Sequence, residues 1–134
     1  MSQDNVAAVE DAYEAFASGG LDRFLDHWTD DLDHRSIAGA PDDRGPIHGK
    51  DQMRTYVQDW IDTFDAFRIE PVEMIDADRD VVVAVLRYGG RAKLSGIETD
   101  ETFGAVFTIH DGKIARGREY STRDQALEAA GLRA

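Results

Sequence analysis

The segment TDETFGAVFTIHDGKIARGREYS, residues 99–121, decides the fold of this chain. Its centre, Asp111-Gly112, separates two apolar-rich runs. An Asp-Gly pair in that place is a strong hairpin signal, because both central residues of a type I′ turn need positive φ. A two-residue turn sets His110 opposite Lys113 and fixes the register of the strands. The segment therefore predicts two long antiparallel strands joined by a tight turn.

In this register every strand residue falls on one of two faces. We call the face that carries Phe107 and Ile109 the first face and the opposite one the second face. Glu119 falls on the second face, which predicts an outer-face or interface position for it. The first face is aromatic and apolar with polar side chains embedded in it, as in a core or a pocket with a few polar fixtures. Its residues are Phe103, Ala105, Phe107, Ile109, Ile114, Arg116, Arg118 and Tyr120.

Composition restricts the class of protein. The chain has 134 residues, enough for one domain over residues 1–134, with 42% apolar and 31% charged residues. The formal net charge of −12 argues against binding to nucleic acids or anionic membranes, which need a basic surface. The chain has no cysteine and hence no disulfide or thiolate nucleophile. The N-terminal residues show no signal-peptide core and no apolar run reaches membrane-spanning length, so we expect a cytoplasmic protein.

Helical periodicity is concentrated in the first half of the chain. Apolar residues three and four apart predict helices over residues 5–18, 21–28 and 50–64. Residues 29–46 have turn composition, which favours a loop with room for a short strand around residues 30–37.

The second half of the chain has the composition of strands. Alternating or β-branched runs predict strands over residues 67–75 and 81–88, the second continuing over 91–94 after a bend at Gly89-Gly90. Ser121 opens a capping-box-like sequence for a final helix. Helices followed by an antiparallel meander predict an α+β fold with the helices on one face of a curved sheet.

Several strings, in this order, resemble the nuclear-transport-factor-2-like (NTF2-like) superfamily and specifically its SnoaL-like branch. The resemblance implies a cone-shaped fold: three N-terminal helices packed in a strongly curved, mainly antiparallel sheet, and a short C-terminal helix. It also implies a cavity at the open end and a homodimer through the outer face of the sheet. The matching strings are residues 13–16, the turn 19–22, residues 28–31, Gly49, residues 110–114 and residues 118–120.

The family includes ketosteroid isomerase-like enzymes, polyketide cyclases, dehydratases, epoxide hydrolases and many members with no known reaction, so the fold does not settle the function. Ketosteroid isomerases use a tyrosine on helix one, an aspartate in the first strand and an aspartic acid on the hairpin. These places align with Ala12, Ser36 and Ala105, and none keeps the needed group. Tyr13 is one residue off, which turns it by about 100° on a helix.

Three polar residues are the candidates for catalysis. His34 lies where the first strand would enter the cavity, and a neutral imidazole is a natural general acid or base; the alternative is a surface histidine. Arg118 and Tyr120 lie on the first face of the hairpin, where they would stabilise an oxyanion. A partly buried guanidinium there needs a carboxylate, such as Glu101, or a ligand anion. The alternative for Arg118 is an ion pair that only holds the sheet or the dimer interface.

Large aromatic residues are the candidates for contact with a small hydrophobic ligand, although at helical and strand spacing they also suit a core. They are Trp28, Tyr56, Trp60, Phe64, Tyr88 and Phe103. We expect no metal and no cofactor. The histidines lack ligand spacing, and the acidic residues Asp30, Asp31, Asp33, Asp42 and Asp43 lack the spacing of a calcium-binding loop.

Two functions remain open from the sequence. The first is a cofactor-free enzyme that isomerises, cyclises or dehydrates a hydrophobic carbonyl compound, with His34 as base or acid. The second is a dimeric domain that binds an apolar ligand without turnover, or a scaffold.

Overall fold

A computed structural model describes residues 2–41 and 43–132. The chain folds into a few helices and one sheet. The helices are α1 (Ser2–Gly19), α2 (Leu21–Leu25), α3 (Gly49–Thr63) and α4 (Arg123–Ala129). The strands are β1 (Trp28–Arg35), β2 (Ile47–His48), β3 (Phe64–Asp76), β4 (Val81–Ala92), β5 (Glu98–His110) and β6 (Lys113–Tyr120).

The strands form one six-stranded sheet in the order β2-β1-β6-β5-β4-β3. All neighbours are antiparallel except β1 and β6, which run parallel. The predicted α+β cone, with a curved and unclosed sheet, is confirmed. None of the helices among the described residues has the length and apolar character that crossing a membrane requires.

The core lies between the sheet and the first three helices. Val9 of α1, Leu86 of β4 and Phe107 of β5 are fully buried there. The short helix α4 covers the other face of the sheet, where Val83 packs with Leu127. We call the face of the sheet toward α1, α2 and α3 the inner face and the face toward α4 the outer face. At one end a space remains between the helices and the inner face.

The prediction for residues 21–46 was wrong in part. The second helix ends at Leu25 rather than at residue 28. The strand expected around residues 30–37 is present, but it begins earlier, at Trp28, and has eight residues. The strand pairs with β6, more than 80 residues away along the chain, and Trp28 and Leu32 are fully buried. Pairing between distant segments overrides the turn-like local composition.

The hairpin turn was predicted correctly, but the register beyond it was not. Asp111 and Gly112 both have positive φ, as a type I′ turn needs, and His110 faces Lys113. After the pair Ile109–Ile114, however, the next pair is Thr108–Arg116. Ala115 is therefore the extra residue of a β-bulge.

The bulge moves every later side chain of β6 to the face opposite the predicted one. Glu119 now pairs with Ala105 on the inner face, whereas Arg118 pairs with Val106 on the outer face. Without the bulge, Arg116 and Arg118 would both enter the core, and burying unpaired charges is costly. The shift replaces these two arginines on the inner face with Gly117 and Glu119.

We predict that Gly117→Ala lowers the free energy of unfolding by about 1–3 kcal/mol, because it overpacks the inner face. An added Cβ at Gly117 would lie 2.4 Å from Nδ1 of His34. Chemical denaturation of wild type, Gly117→Ala, His34→Ala and the double variant measures the coupling.

The control is built into this cycle. If His34 is the side chain that the new methyl group meets, Gly117→Ala costs less in the His34→Ala background. An equal cost in both backgrounds would contradict the close approach of His34 to β6.

Candidate functional site

A cavity of about 580 Å³ opens between the helices and the inner face of the sheet. Its volume lies in the range of small-molecule sites. Most of the lining is aromatic or aliphatic. It comprises Tyr13, Phe16, Phe24, His34, Ile37, Ala40, Pro41, Met53, Tyr56, Val57, Trp60, Phe64, Phe67, Ile69, Tyr88, Thr99, Glu101, Thr102, Phe103, Glu119 and Ser121.

The polar part of this cavity is built around the carboxylate of Glu119. Nε2 of His34 lies 2.9 Å from Oε2 of Glu119. The hydroxyl of Tyr56 donates to Oε1 of Glu119 over 3.1 Å. Each oxygen of the carboxylate thus has its own partner, one from β1 and one from α3. Two contacts of this kind fix the plane of the carboxylate.

The ring of His34 is buried and packed against neighbouring aromatic rings. Its side chain is 2% exposed, and its centroid lies 5.5 Å from that of Trp28 and 5.6 Å from that of Tyr56. Nδ1 is buried, faces Gly117 and has no hydrogen-bond partner among the described residues. An ionised carboxylate can only accept, so we assign the ring proton to Nε2, which donates to Glu119.

Tyr13 brings a second phenol to the same cavity. Burial and, to a smaller extent, the negative charge of Glu119 raise the pKa of Tyr13 far above its ordinary value. Its hydroxyl therefore keeps its proton at every physiological pH. The position that the family resemblance gave to the helix-one tyrosine, Ala12, is fully buried, whereas its neighbour Tyr13 lines the cavity.

An aromatic wall forms the other side of the cavity; we use this name for Trp60, Phe64, Phe67, Tyr88 and Phe103. The rings of Trp60 and Phe64 are stacked, with centroids 5.9 Å apart. Tyr88 meets Trp60 edge-on at 5.2 Å. The register of β3 shifts between Asp65 and Arg68, with Ala66 at a φ of 54°, and both Phe64 and Phe67 line the cavity.

The structure gathers most of the predicted ligand-contacting aromatic residues. All of them line the cavity except Trp28, which is fully buried in the core. Trp28 packs edge-on against Phe24, His34 and Phe107, so it supports the histidine from behind.

Arg118 and Tyr120 do not line the cavity, because the bulge turns them to the outer face. Arg118 donates to the carboxylate of Asp33 over 2.8 Å and to the backbone oxygens of Asp33 and Gly117. The suggestion that Glu101 could be the carboxylate partner of Arg118 was wrong. Tyr120 packs against the apolar cluster beneath α4. The face predicted for both residues was therefore wrong, and Arg118 ties β6 to β1.

The acidic residues of the first half are spread along β1 and the loop that follows it. Asp43 accepts hydrogen bonds from Arg35 and from the backbone amides of Gly39 and Gly45. These contacts, the one with Arg35 first, lower the pKa of Asp43 to about 2. Asp42 lies outside the described residues. Asp43 thus fastens the segment whose residues Ala40 and Pro41 line the cavity.

Sequence reasoning missed the residue at the centre of the site. Glu119 was predicted to point outward, and Phe67 was not considered as a ligand contact. A signal for Glu119 was present, because an unbulged β6 would bury two arginines. For Phe67 the sequence carries no comparable signal. Its place in the lining goes with the positive φ of Ala66, and alanine is not a residue type from which a positive φ is predicted.

The sequence profile of the SnoaL-like domain matches residues 9–117, which is more than half of the chain. The chain belongs to the SnoaL-like domain family. The resemblance noted from the sequence is confirmed. No curated protein matches the chain significantly.

Solved structures of low sequence identity share the fold of this SnoaL-like protein. An NTF2-like protein of unknown function from Burkholderia pseudomallei is 19% identical, with 93% of this chain and 95% of that one covered and a TM-score of 0.75. TerC, co-crystallised with polyporic acid, is 19% identical over 96% and 98%, with a TM-score of 0.75. A Mycobacterium tuberculosis protein in complex with estradiol-17β-hemisuccinate is 15% identical over 87% and 92%, with a TM-score of 0.73.

We predict that Arg118→Leu destabilises the fold by about 1–2 kcal/mol at neutral pH without weakening ligand binding in the cavity. The hydrogen bond from Arg118 is the main reason that the pKa of Asp33 lies below its ordinary value. A carboxyl with a lowered pKa stabilises the fold above its unfolded-state pKa and loses this contribution as the pH falls. The difference in stability between wild type and variant should therefore shrink below about pH 4.

Thermal unfolding between pH 3 and pH 8 measures this difference. The matched control is Lys113→Leu, which removes an exposed cation from the same strand. A stability difference that is constant with pH would contradict the Asp33–Arg118 contact, and a loss of ligand binding would contradict its outer-face position.

Proposed function

We propose that this protein is a cofactor-free enzyme that transfers a proton on a hydrophobic carbonyl compound, in an isomerisation, an aldol cyclisation or a dehydration. The observation that carries the proposal is the carboxylate of Glu119, held by His34 and Tyr56 in the wall of an apolar cavity. A fixed carboxylate in such a site is suited to general acid–base catalysis.

We assign Glu119, rather than His34, as the group that takes a proton from the substrate. Nε2 of His34 already donates to the carboxylate, and Nδ1 is sealed against Gly117. Neither ring nitrogen therefore has a lone pair directed to a ligand. The side chain of Glu119 is 13% exposed, so its carboxylate is accessible from the cavity. His34 and Tyr56 act as positioning residues.

The chemistry begins with Glu119 taking a proton from the carbon next to the carbonyl group of the ligand. The electron pair of the broken C–H bond moves into the carbonyl group, which becomes an enolate. Tyr13 also lines the cavity, and we assign its hydroxyl as the donor to the developing oxyanion. In an isomerisation, Glu119 then returns the proton to another carbon. In an aldol cyclisation, the enolate carbon attacks a second carbonyl group of the ligand, and Glu119 protonates the alkoxide that forms. In a dehydration, Glu119 protonates the hydroxyl group, which leaves as water.

The lining of the cavity supports an apolar, flat ligand. The aromatic wall offers ring faces and edges along one side, and Met53 and Val57 of α3 add aliphatic contacts. The protein from M. tuberculosis binds a steroid derivative and TerC was crystallised with polyporic acid. These ligands of similarly folded proteins are consistent with the proposed substrate class.

Binding without turnover is the competing function, and it shares the same cavity. The homodimer through the outer face of the sheet and the cytoplasmic location stay predictions. Neither is needed for the proposed proton transfer, because one chain supplies Tyr13, His34, Tyr56 and Glu119.

Exchange of deuterium into 2-tetralone tests proton abstraction without knowledge of the natural substrate. This apolar ketone has acidic protons next to its carbonyl group, and their replacement in D₂O is followed by NMR. We predict that the wild-type protein accelerates the exchange and that Glu119→Gln lowers this rate by about 10²- to 10⁴-fold. Binding of 2-tetralone, measured by thermal shift, should persist in the variant.

The matched control is Glu128→Gln, which removes an exposed carboxylate of α4 outside the cavity. It should leave the exchange rate unchanged. If 2-tetralone binds and the exchange rate equals that in buffer, the protein is a binding domain and the enzymatic proposal fails.

A further inference from the structure

The charged side chains in the described lining of the cavity are acidic. The lining contains the carboxylates of Glu101 and Glu119, whereas none of its described residues is a lysine or an arginine. An anionic ligand would meet two negative charges in the cavity without a compensating cation. The net charge of −12 adds to the repulsion at longer range.

Glu101 differs from Glu119 in its contacts. Both oxygens of Glu119 are taken by His34 and Tyr56. Glu101 is exposed and forms no hydrogen bond or salt bridge with the described residues. Its neighbour Asp100, by contrast, points to the outer face and is paired with Arg87. The carboxylate of Glu101 is thus available to a ligand.

Glu101 stands beside the aromatic wall. It is the cross-strand partner of Tyr88 on β4, and Phe103 follows it on the same face of β5. Aromatic rings present a negative face, and a cation near such a face is attracted by it. A carboxylate and ring faces at one end of a cavity favour the same kind of ligand group.

We propose that the substrate of this cavity carries a protonated amine, which binds Glu101 and the aromatic wall while the reacting carbonyl lies at Glu119. This inference rests on the proposed function for the position of the carbonyl group. Ala105, the partner of Glu119, is four residues from Glu101 along β5. Four residues span about 13 Å of strand, so an apolar skeleton of at least bicyclic size separates the two groups.

The test uses three probes with one skeleton: 2-naphthylethylamine, 2-naphthylethanol and 2-naphthylacetate. Calorimetric titration at pH 7 and low salt gives their dissociation constants. The amine should bind about five- to tenfold more tightly than the alcohol, and the carboxylate most weakly. Raising the salt concentration to 0.5 M should weaken the amine selectively.

Glu101→Gln assigns the preference to its residue. In this variant the amine should bind within about twofold of the alcohol, while the affinity for the alcohol stays unchanged. Glu98→Gln is the matched control, because Glu98 is exposed on the same strand and does not line the cavity. It should keep the preference for the amine.

The outcomes separate this inference from the proposed function. Equal binding of amine and alcohol by the wild type, or a preference that survives Glu101→Gln, overturns the inference alone. Deuterium exchange into 2-tetralone, which has no amine, stays a separate measure of proton transfer. Failure of all three probes to bind overturns the inference and also contradicts an open apolar cavity.

Discussion

The β-bulge at Ala115 determines which charged groups of β6 are buried, and the rest of the site depends on it. One extra residue turns Arg118 to the outer face, where it pairs with Asp33, and brings Glu119 to the inner face opposite Ala105. The physical reason is the cost of burying charge. One carboxylate with two donors is easier to accommodate in an apolar core than two arginines with no acceptor.

A half-buried polar network links β6 to strand β1 and to helix α3. Glu119 receives Nε2–H of His34 from β1 and the hydroxyl of Tyr56 from α3, so three elements meet at one carboxylate. Such hydrogen bonds to an ionised group offset the cost of its burial and hold its orientation before any ligand arrives. The same feature that permits the fold therefore prepares the group to which we assign proton transfer.

Local signals in the sequence predicted the elements well, and distant pairing limited the rest. The Asp111-Gly112 turn and the apolar stripe of α3 depend on neighbouring residues, and both are present. Strand β1 depends on pairing with β6, so the local pattern predicted only a short strand around residues 30–37. The bulge depends on which face is buried, and the local pattern missed it. The aromatic residues of the cavity were mostly recognised by type, whereas Glu119 was assigned to the wrong face because its register was wrong.

The bulged register and the site built on it are tested most directly by detecting the hydrogen bond between His34 and Glu119, since only this register brings the two residues together. Long-range ¹H–¹⁵N NMR of the histidine ring reports which nitrogen carries the proton and how fast that proton exchanges with water. We predict a protonated Nε2 with slow exchange in the wild type, and a large change of its resonance in Glu119→Gln. A rapidly exchanging ring proton that is insensitive to Glu119→Gln would contradict the register and the site built on it.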